Sequence, residues 1–538
     1  MQTPLRAPTD ILALFVALTL GFATTTVAQV AAEPVTPEPE RPNILFIFSD
    51  DHAYQAIGAY RSYLQDVVRT PHIDRLAEHG VLFERCMVTN SICGPMRAVI
   101  QNGRYSHHNG FWNNRSRFDG TQESFPRLLQ AVGYQTAVIG KWHLGRQQAP
   151  QGYDYSEVLI GQGQYYNSPM LVDARGTGEH DQREQVVREG YTTDLITDSA
   201  LHWLEHGRDP EQPFMLMVQH KAPHREWSPR PDIYATWQGV EFPEPETLFE
   251  DYDEHVEPRQ HQRMTLAHHF RQGYDDKTDG FAPGNLTPEQ REAYLAMFAE
   301  ENAEFEANRE SMTEEERVRW IHQRYLRIYL ASVESVDDNV GRLLAYLEQT
   351  GLADNTIVIY SSDQGFYLGE HGWYDKRWVY EESLRTPLIV RWPGVVEPGS
   401  RNGAIVSPLD FAQTFLDFAG AEQPQGMQGR SLVPVLAGET PDDWRQSHYY
   451  HYYEWPGAHA VSRHYAVCTA RYKLICFYNP DDDRTIWELI DLEVDPLETQ
   501  NFYDDPAYAE VRAELHAELR HLRDQYGVPE EDPNHLAP

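Results

Sequence analysis

The stretch NILFIFSDDH, residues 43–52, decides the fold of this 538-residue chain. Its first six residues are nearly all apolar, which is typical of a central parallel strand covered by helices on both faces. A second stretch, TIVIYSSDQG at residues 356–365, also runs from apolar residues into small polar ones and then into carboxylate and amide side chains. Ligands of open α/β sheets bind beyond the carboxyl ends of the strands, so these two stretches predict both a fold class and the edge that carries its polar groups.

Strands and helical patterns alternate through most of the chain. Further buried strands are predicted at 135–139, 214–219 and 388–392, and apolar residues between 333 and 347 follow one helix face. We therefore predict an α/β domain over 43–440, with a large mixed sheet between helices. Residues 229–317, rich in Pro, Asp, Glu and His, read as an insertion. Strand-like and helical patterns in 441–538 predict a smaller C-terminal α+β domain.

The N-terminus has the pattern of a secretory signal. Arg6 precedes an apolar run over 11–23, and the small residues of TVA, 26–28, suit cleavage. We predict a signal peptide over 1–28, a disordered leader over 29–42, and a secreted or periplasmic protein. No later segment is apolar enough to cross a bilayer and no cysteine follows the cleavage site, so no membrane anchor is expected.

Acidic residues outnumber basic ones by 82 to 45, which gives a formal charge of −37. Nucleic-acid binders normally carry a basic surface, so this balance argues against such a partner. A site for an anionic substrate would have to concentrate Lys, Arg and His locally, against the overall charge of the protein.

The segment CGPMR, residues 93–97, places a cysteine where a helix is about to begin. Pro95 suits the first turn, because its missing N–H has no intrahelical partner there. Cys93 would then sit just outside the first turn, beside free N–H groups that attract an oxyanion. The alternatives are a buried structural cysteine or a disulfide with Cys86. The other two cysteines, Cys468 and Cys476, flank a predicted hairpin turn, where a cross-strand disulfide is an option.

Cys-x-Pro-x-Arg followed by GRYSHHNG, residues 103–110, resembles the signature of the type I sulfatases. GKWHLG at 140–145, HKAPH at 220–224 and DKRWVYE at 375–381 follow in the order of that family. The resemblance covers most of residues 43–500 and implies an alkaline-phosphatase-like sulfatase fold. It also implies that a formylglycine-generating maturation enzyme oxidises Cys93 to the catalytic aldehyde. Met96 departs from the Ser or Ala usual in relatives.

Two pairs of oxygen-donating side chains, Asp50-Asp51 and Asp363-Gln364, end the two strands quoted first. Three carboxylates and an amide form a hard oxygen shell, which favours Ca²⁺ or Mg²⁺ over zinc. Either pair alone could instead cap a helix or stabilise a turn. The resemblance implies that all four residues, with the formylglycine at 93, bind one cation, with Ca²⁺ the first choice and Mg²⁺ the second.

The remaining roles are also implied by the resemblance. Arg97 and Lys141 would hold the aldehyde hydrate and His143 would handle its protons. His224 and Lys376 would face the sulfate and the leaving oxygen. One hydroxyl of the hydrate would attack sulfur, and the other would lose its proton so that the aldehyde re-forms and sulfate leaves.

The segment YYHYYEW, residues 449–455, precedes His459, Arg463 and His464, which we assign to substrate binding. This pattern resembles the polysaccharide-degrading branch of the family, including N-acetylglucosamine-6-sulfatase-like and ulvan-type enzymes, and predicts a sulfated oligosaccharide or polysaccharide as substrate. Core packing is the competing explanation for these rings. Two rival functions remain: a phosphonate or phosphate diester hydrolase of the same superfamily, and a catalytically silent carbohydrate-binding relative.

Overall fold

The computed structural model describes residues 41–145, 149–174, 176, 183–479 and 484–530. The predicted signal peptide and residues 29–40 of the leader lie outside the described residues. The described residues from Arg41 onward belong to one compact unit.

A ten-stranded mixed sheet forms the centre of the molecule, in the order β12-β2-β11-β8-β1-β7-β3-β4-β5-β6. Its strands are β1 Asn43–Ser49, β2 Val81–Cys86, β3 Gln135–Gly140, β4 Tyr155–Leu159, β5 Met170–Asp173, β6 Glu184–Val186, β7 Phe214–His220, β8 Thr356–Ser362, β11 Leu388–Arg391 and β12 Ser400–Val406. The four central neighbours β8, β1, β7 and β3 are mutually parallel. Their ends align, because Ser49 of β1 lies opposite both Ser362 and His220.

Helices cover both faces of this sheet. The α-helices of the described residues are α1 Pro71–Glu78, α2 Cys93–Asn102, α3 Ser106–Asn109, α4 Phe125–Ala131, α5 Thr192–His202, α6 Pro231–Thr236, α7 Glu257–His261, α8 Pro288–Ala296, α9 Ala299–Asn308, α10 Glu314–Gln349, α11 Glu381–Leu384, α12 Phe411–Phe418, α13 Val433–Leu436 and α14 Ala509–Gln525. Strand β1 shows why helices are needed on both faces, because its side chains are apolar on each. Leu45 and Ile47 belong to one apolar cluster, and Ile44, Phe46 and Phe48 belong to the other.

A second sheet lies near the C-terminus and is antiparallel, in the order β13-β14-β15-β16. Its strands are β13 Ser447–Tyr452, β14 His464–Thr469, β15 Tyr472–Tyr478 and β16 Thr485–Asp491. Helix α14 packs against β13, β14 and β15. The predicted fold class, a large mixed sheet between helices plus a smaller C-terminal α+β part, is therefore confirmed. The boundary at 440 stays a prediction; it falls between α13 and β13.

The Cys468–Cys476 disulfide, which the sequence left open, is absent from the structure. The hairpin forms as predicted, but Cys468 lies opposite Lys473 and Cys476 opposite Tyr465. The two cysteines are thus offset along the strands by three residues, about 10 Å at the rise of a β-strand, which is too far for a disulfide. Both are free thiols, as are Cys86 and Cys93.

Residues 229–317 contain helices α6 to α9 and the start of α10, beside the large sheet. A two-stranded ribbon, β9 Tyr367–Leu368 with β10 Tyr374–Asp375, follows β8 and leads to the DKRWVYE segment. Within the described part of the chain, none of the helices combines the length and the apolar character that a bilayer-spanning segment needs.

Candidate active site

The four central parallel strands bring the predicted site residues to one edge of the sheet. Asp50 and Asp51 follow β1, and Asp363 and Gln364 follow β8. Strand β3 is followed by Lys141 and His143, and β7 by Lys221 and His224. Because these strands are adjacent and end in register, residues far apart in sequence meet there.

Cys93 lies at the N-terminus of α2 and is almost fully buried. The helix begins at Cys93 itself, one residue earlier than the sequence suggested, with Ile92 as its N-cap residue. The small sheet supports the loop before it: the His451 amide donates to the Thr89 carbonyl at 2.9 Å. The hydroxyl of Tyr450 in turn accepts a hydrogen bond from the Ser91 amide at 3.2 Å.

Three fully buried carboxylates surround this helix end. One ligand atom each from Asp50, Asp363 and Cys93 lies within 4.8 Å of the others. The Asp51 amide donates to Asp363 Oδ1 at 3.0 Å, which ties the two strand ends together. Gln364 donates its amide N–H to Asp51.

Three buried cations balance these carboxylates. Arg97 donates from Nε to Asp363 Oδ2 at 3.1 Å and lies 3.4 Å from Asp50 Oδ1. Lys141 pairs with Asp50, and Lys376 Nζ lies 2.7 Å from Asp51 Oδ2. Arg97 also donates to the Lys141 carbonyl at 2.6 Å, so its guanidinium fixes the site more than it faces substrate.

Burial and neighbouring charges push the pKa values of the three carboxylates apart. Burial raises the pKa of Asp363, and the charge of Asp50 adds to that rise. Burial raises the pKa of Asp51 to about 6, although the charge of Lys376 acts in the opposite direction. For Asp50, burial acts upward but the charges of Lys141 and Arg97 outweigh it, so its pKa lies well below the usual value. Carboxylates this close repel one another, and a cation among them would relieve that repulsion.

The donor set fits a hard divalent cation. Among the described residues, Gln364 Oε1 is buried and has no hydrogen-bond partner, an arrangement that normally costs about 1–3 kcal/mol. A metal ligand role accounts for this oxygen, because its amide N–H already orients it beside Asp51. The oxygens of Asp50, Asp51, Asp363 and Gln364 match the ligands that Ca²⁺ and Mg²⁺ prefer.

The two predicted catalytic histidines are held neutral. Burial, assisted by the charge of Lys141, keeps the pKa of both His143 and His224 well below 6.5. His224 donates from Nδ1 to the Arg225 carbonyl, which leaves Nε2 at 3.7 Å from Asp51 Oδ2. His143 Nδ1 has no hydrogen-bond partner within the described ranges.

A cavity of about 570 Å³ opens over Cys93. Its lining includes the predicted residues His224, Lys376 and His459. Residues 229–317 also contribute side chains to its wall, namely Arg271, Tyr274, Phe281 and Pro283. The cavity therefore combines cations with aromatic rings in a protein that is strongly acidic overall.

Two of the three predicted substrate residues do not line this cavity. His464 is fully buried, with Nδ1 bonded to the Ser462 carbonyl at 2.7 Å and its ring packed against Tyr450 and Trp378. Arg463 is also not among the lining residues. His459 is, with Nε2 at 3.2 Å from Asp375 Oδ2.

The aromatic segment is mainly core. Tyr449, Tyr450, Tyr452 and Tyr453 are at most 1% exposed, whereas Trp455 is 38% exposed. Core packing, the competing explanation, therefore accounts for these four tyrosines.

Three residues that the sequence analysis did not single out contact or line the site. Asn114 accepts from the Gly94 amide at 3.0 Å and donates to Cys93 Sγ at 3.5 Å. Lys221 lies over the Tyr165 ring at 4.6 Å, and burial together with Lys141 lowers its pKa to about 8. Arg377 lies beside Lys376 and pairs with Glu454 at 2.9 Å. Lys221 and Arg377 stand inside the quoted motifs; nothing in the sequence pattern pointed to Asn114.

Comparison with known proteins agrees with this geometry. The family model "Sulfatase" matches residues 42–421, and the model "N-sulphoglucosamine sulphohydrolase, C-terminal" matches residues 369–525. The chain belongs to the sulfatase family and is a sulfuric ester hydrolase, which confirms the resemblance drawn from the motifs.

Among its relatives is an N-acetylglucosamine-6-O-sulfatase of Bacteroides thetaiotaomicron, 43% identical over 513 residues, covering 92% of this chain and 88% of the relative. A solved structure described as a complex with its substrate D-glucosamine-2-N,6-O-disulfate is 42% identical. It covers 92% of this chain and all of the other, with a TM-score of 0.85. An ulvan-active sulfatase of Formosa agariphila is 24% identical over 494 residues, covering 90% of this chain and 81% of the relative.

Proposed function

We propose that this chain is an exported carbohydrate sulfatase that hydrolyses the 6-O-sulfate of a glucosamine unit at the end of a sulfated oligosaccharide or polysaccharide. The observation that carries the proposal is the position of Cys93. It lies at a helix N-terminus, against buried carboxylates on one side and beneath a cavity lined by cations on the other. The names of the Bacteroides relative and of the complexed structure support glucosamine as the sugar.

Position 93 is proposed to carry formylglycine, made from Cys93 by a maturation enzyme of the same exporting cell. The hydrated aldehyde supplies one hydroxyl to attack sulfur and a second whose deprotonation lets the aldehyde re-form and release sulfate. A serine lacks the second hydroxyl, which is the physical reason for the modification. Asn114 and the free N–H groups at the start of α2 hold the side chain at 93 in place.

Asp50, Asp51, Asp363 and Gln364, with residue 93, are proposed to hold one Ca²⁺, with Mg²⁺ as the second choice. When bound, the cation supplies positive charge where negative charge gathers on the sulfate oxygens. Lys141 and Lys376 extend that positive field, since both lie in the same buried cluster. Fixed charges of this kind, in a site shielded from water, need no reorganisation during the reaction.

Proton transfer is proposed for the two neutral histidines. His143 is neutral, so the unprotonated nitrogen of its imidazole can accept the proton of the second hydroxyl. His224 directs Nε2 toward the site and can pass a proton to the leaving sugar oxygen. The negative charge of a bound sulfate ester favours the protonated imidazole that this step requires. A positioned acid of this kind typically contributes about 10²–10⁴-fold.

The test uses the mature protein, co-expressed with a formylglycine-generating enzyme, and measures sulfate release from glucosamine 6-sulfate and glucosamine 3-sulfate and phenol release from an aryl phosphonate diester. We expect the 6-sulfate to be cleaved with the highest kcat/KM. Preference for the phosphonate diester would support the rival hydrolase, and no turnover of any ester would support the silent relative. N-terminal sequencing of the exported protein tests cleavage near residue 28.

A further inference from the structure

A second cavity, of about 630 Å³, lies beside the one over Cys93. One short turn borders both cavities. Ala458 and His459 line the cavity over Cys93, whereas Gly457, His459 and Ala460 line the second one. His459 thus contributes to both walls, so a molecule longer than one sugar could extend from one cavity to the other.

Hydrogen bonds fix this shared wall. His459 donates from Nδ1 to the Arg263 carbonyl at 2.8 Å, and the Arg263 amide donates to the His459 carbonyl at 2.6 Å. On the other side, His459 Nε2 lies 3.2 Å from Asp375 Oδ2. The turn therefore holds its shape by contacts to both neighbouring segments, as a preformed binding wall requires.

The second cavity presents one large aromatic surface. Trp455 lines it and is 38% exposed, in contrast to the buried tyrosines of the same segment. An exposed indole in a cavity offers a flat apolar face with a polar edge, which suits a ring that is itself apolar on one face and polar at its rim. A sugar ring has this character.

The cavity also presents a free cation. Arg484 pairs with Glu257 at 3.2 Å, but no carboxylate of the described residues lies within salt-bridge distance of Arg263. Arg263 is exposed and lines this cavity, so its side chain is available to a ligand. Its planar guanidinium can bind a carboxylate or a sulfate through two parallel hydrogen bonds.

We propose that the second cavity binds an acidic sugar glycosidically linked to the sulfated glucosamine, with its ring on Trp455 and its carboxylate or sulfate on Arg263. The inference rests on the proposed function and extends it from one sugar to a pair. Binding of this neighbouring sugar makes the enzyme selective for the terminal unit of an anionic chain over the free monosaccharide.

The experiment compares kcat/KM for glucosamine 6-sulfate with kcat/KM for the same sugar linked to a hexuronate. Trp455→Ala and Arg263→Ala should each lower the value for the disaccharide about tenfold, the loss of roughly 1.4 kcal/mol of binding, and leave the monosaccharide within about twofold. Phe249→Ala is the matched control, since Phe249 is 43% exposed and lines neither cavity.

A disaccharide with a neutral second sugar separates the two contacts. Trp455→Ala should slow its turnover, and Arg263→Ala should not. If both variants lower kcat/KM equally for the monosaccharide and the disaccharide, or lower it for neither, the second cavity does not bind the neighbouring sugar. If the wild-type enzyme cleaves neither substrate, the proposed function itself fails.

Discussion

Two of the places where the molecule buries aspartate beside arginine differ in what remains unpaired. Asp410, at the start of α12, accepts hydrogen bonds from Arg445 at 2.5 and 2.8 Å. Two backbone amides, from Ser407 and Arg430, complete its shell at 2.9 and 2.8 Å. One carboxylate thus meets one guanidinium and every oxygen has its donors.

At the site edge of the sheet, three carboxylates share a small space and an amide oxygen of Gln364 stays without a donor. The Asp410–Arg445 pair is complete as it stands, which is what a structural ion pair requires. The site cluster is not complete by itself, because burial together with the charge of Asp50 raises the pKa of Asp363, and the Gln364 amide oxygen is left without a donor. Buried charge alone does not distinguish the two; the crowded carboxylates and the unsatisfied amide oxygen are what favour a ligand at the site cluster.

The largest effect is expected at Cys93. Cys93→Ala should lose all turnover, because no other residue can supply the two-hydroxyl nucleophile. Cys86→Ala is the matched control: Cys86 is also buried and free, but it lies on β2, and its variant should keep its activity. Rates of sulfate release from glucosamine 6-sulfate check this, and comparable rates for the two variants would contradict the role of Cys93.

Asp363→Asn and Asp410→Asn should separate activity from stability. Asp363→Asn should abolish turnover and calcium binding, yet change the free energy of unfolding of the metal-free protein by less than about 1 kcal/mol, since it removes a repelled charge. Asp410→Asn should cost about 3 kcal/mol, because it leaves Arg445 buried without its partner. Urea unfolding and calorimetric calcium titration measure both. Equal losses of stability would mean that the site cluster is an ordinary structural network.

The loss of turnover in His224→Ala should depend on the leaving group of the sulfate ester. A sugar alkoxide needs a proton to leave, so its sulfate should be cleaved about 10²–10⁴-fold more slowly, while nitrophenyl sulfate should be affected much less. Lys221→Ala serves as the comparison, since Lys221 lines the same cavity. Should Lys221→Ala show the leaving-group dependence instead, Lys221 and not His224 would be the acid.

The smallest effect concerns pH. Burial, with help from Lys141, lowers the pKa of Lys221 to about 8, so its charge is present below that pH and lost above it. If this charge helps to attract the sulfate ester, kcat/KM should decline several-fold as pH rises through about 8, because this parameter reports the free enzyme. Lys221→Arg keeps the charge and should move the decline to higher pH. An unchanged profile in this variant would assign the decline to another group.

The sequence was sufficient for the fold and for the edge that carries the site. Strand runs such as 43–49 and 356–362 are apolar on both faces only in a covered parallel sheet, and the polar residues after them must then share one edge. The positions of Asp50, Asp363, Lys141 and His224 follow from that topology.

What the sequence could not give depended on strand register and on loops. His464 was assigned to substrate, but side chains alternate between the faces of a strand, and the sequence does not state which face of β14 turns inward. The same uncertainty in register left the Cys468–Cys476 disulfide open, and the offset of the two strands decides against it. Asn114 reaches Cys93 from a loop without a periodic pattern, so only the folded chain reveals the contact.

The central claim is that position 93 carries a formylglycine, and mass spectrometry of one tryptic peptide tests it most directly. The peptide of residues 86–97 contains both Cys86 and Cys93, so it carries its own control. In active enzyme, we predict that residue 93 has lost its sulfur and two hydrogens and gained one oxygen, while Cys86 keeps a thiol that can be alkylated. Full activity with two alkylatable thiols in this peptide would contradict the account.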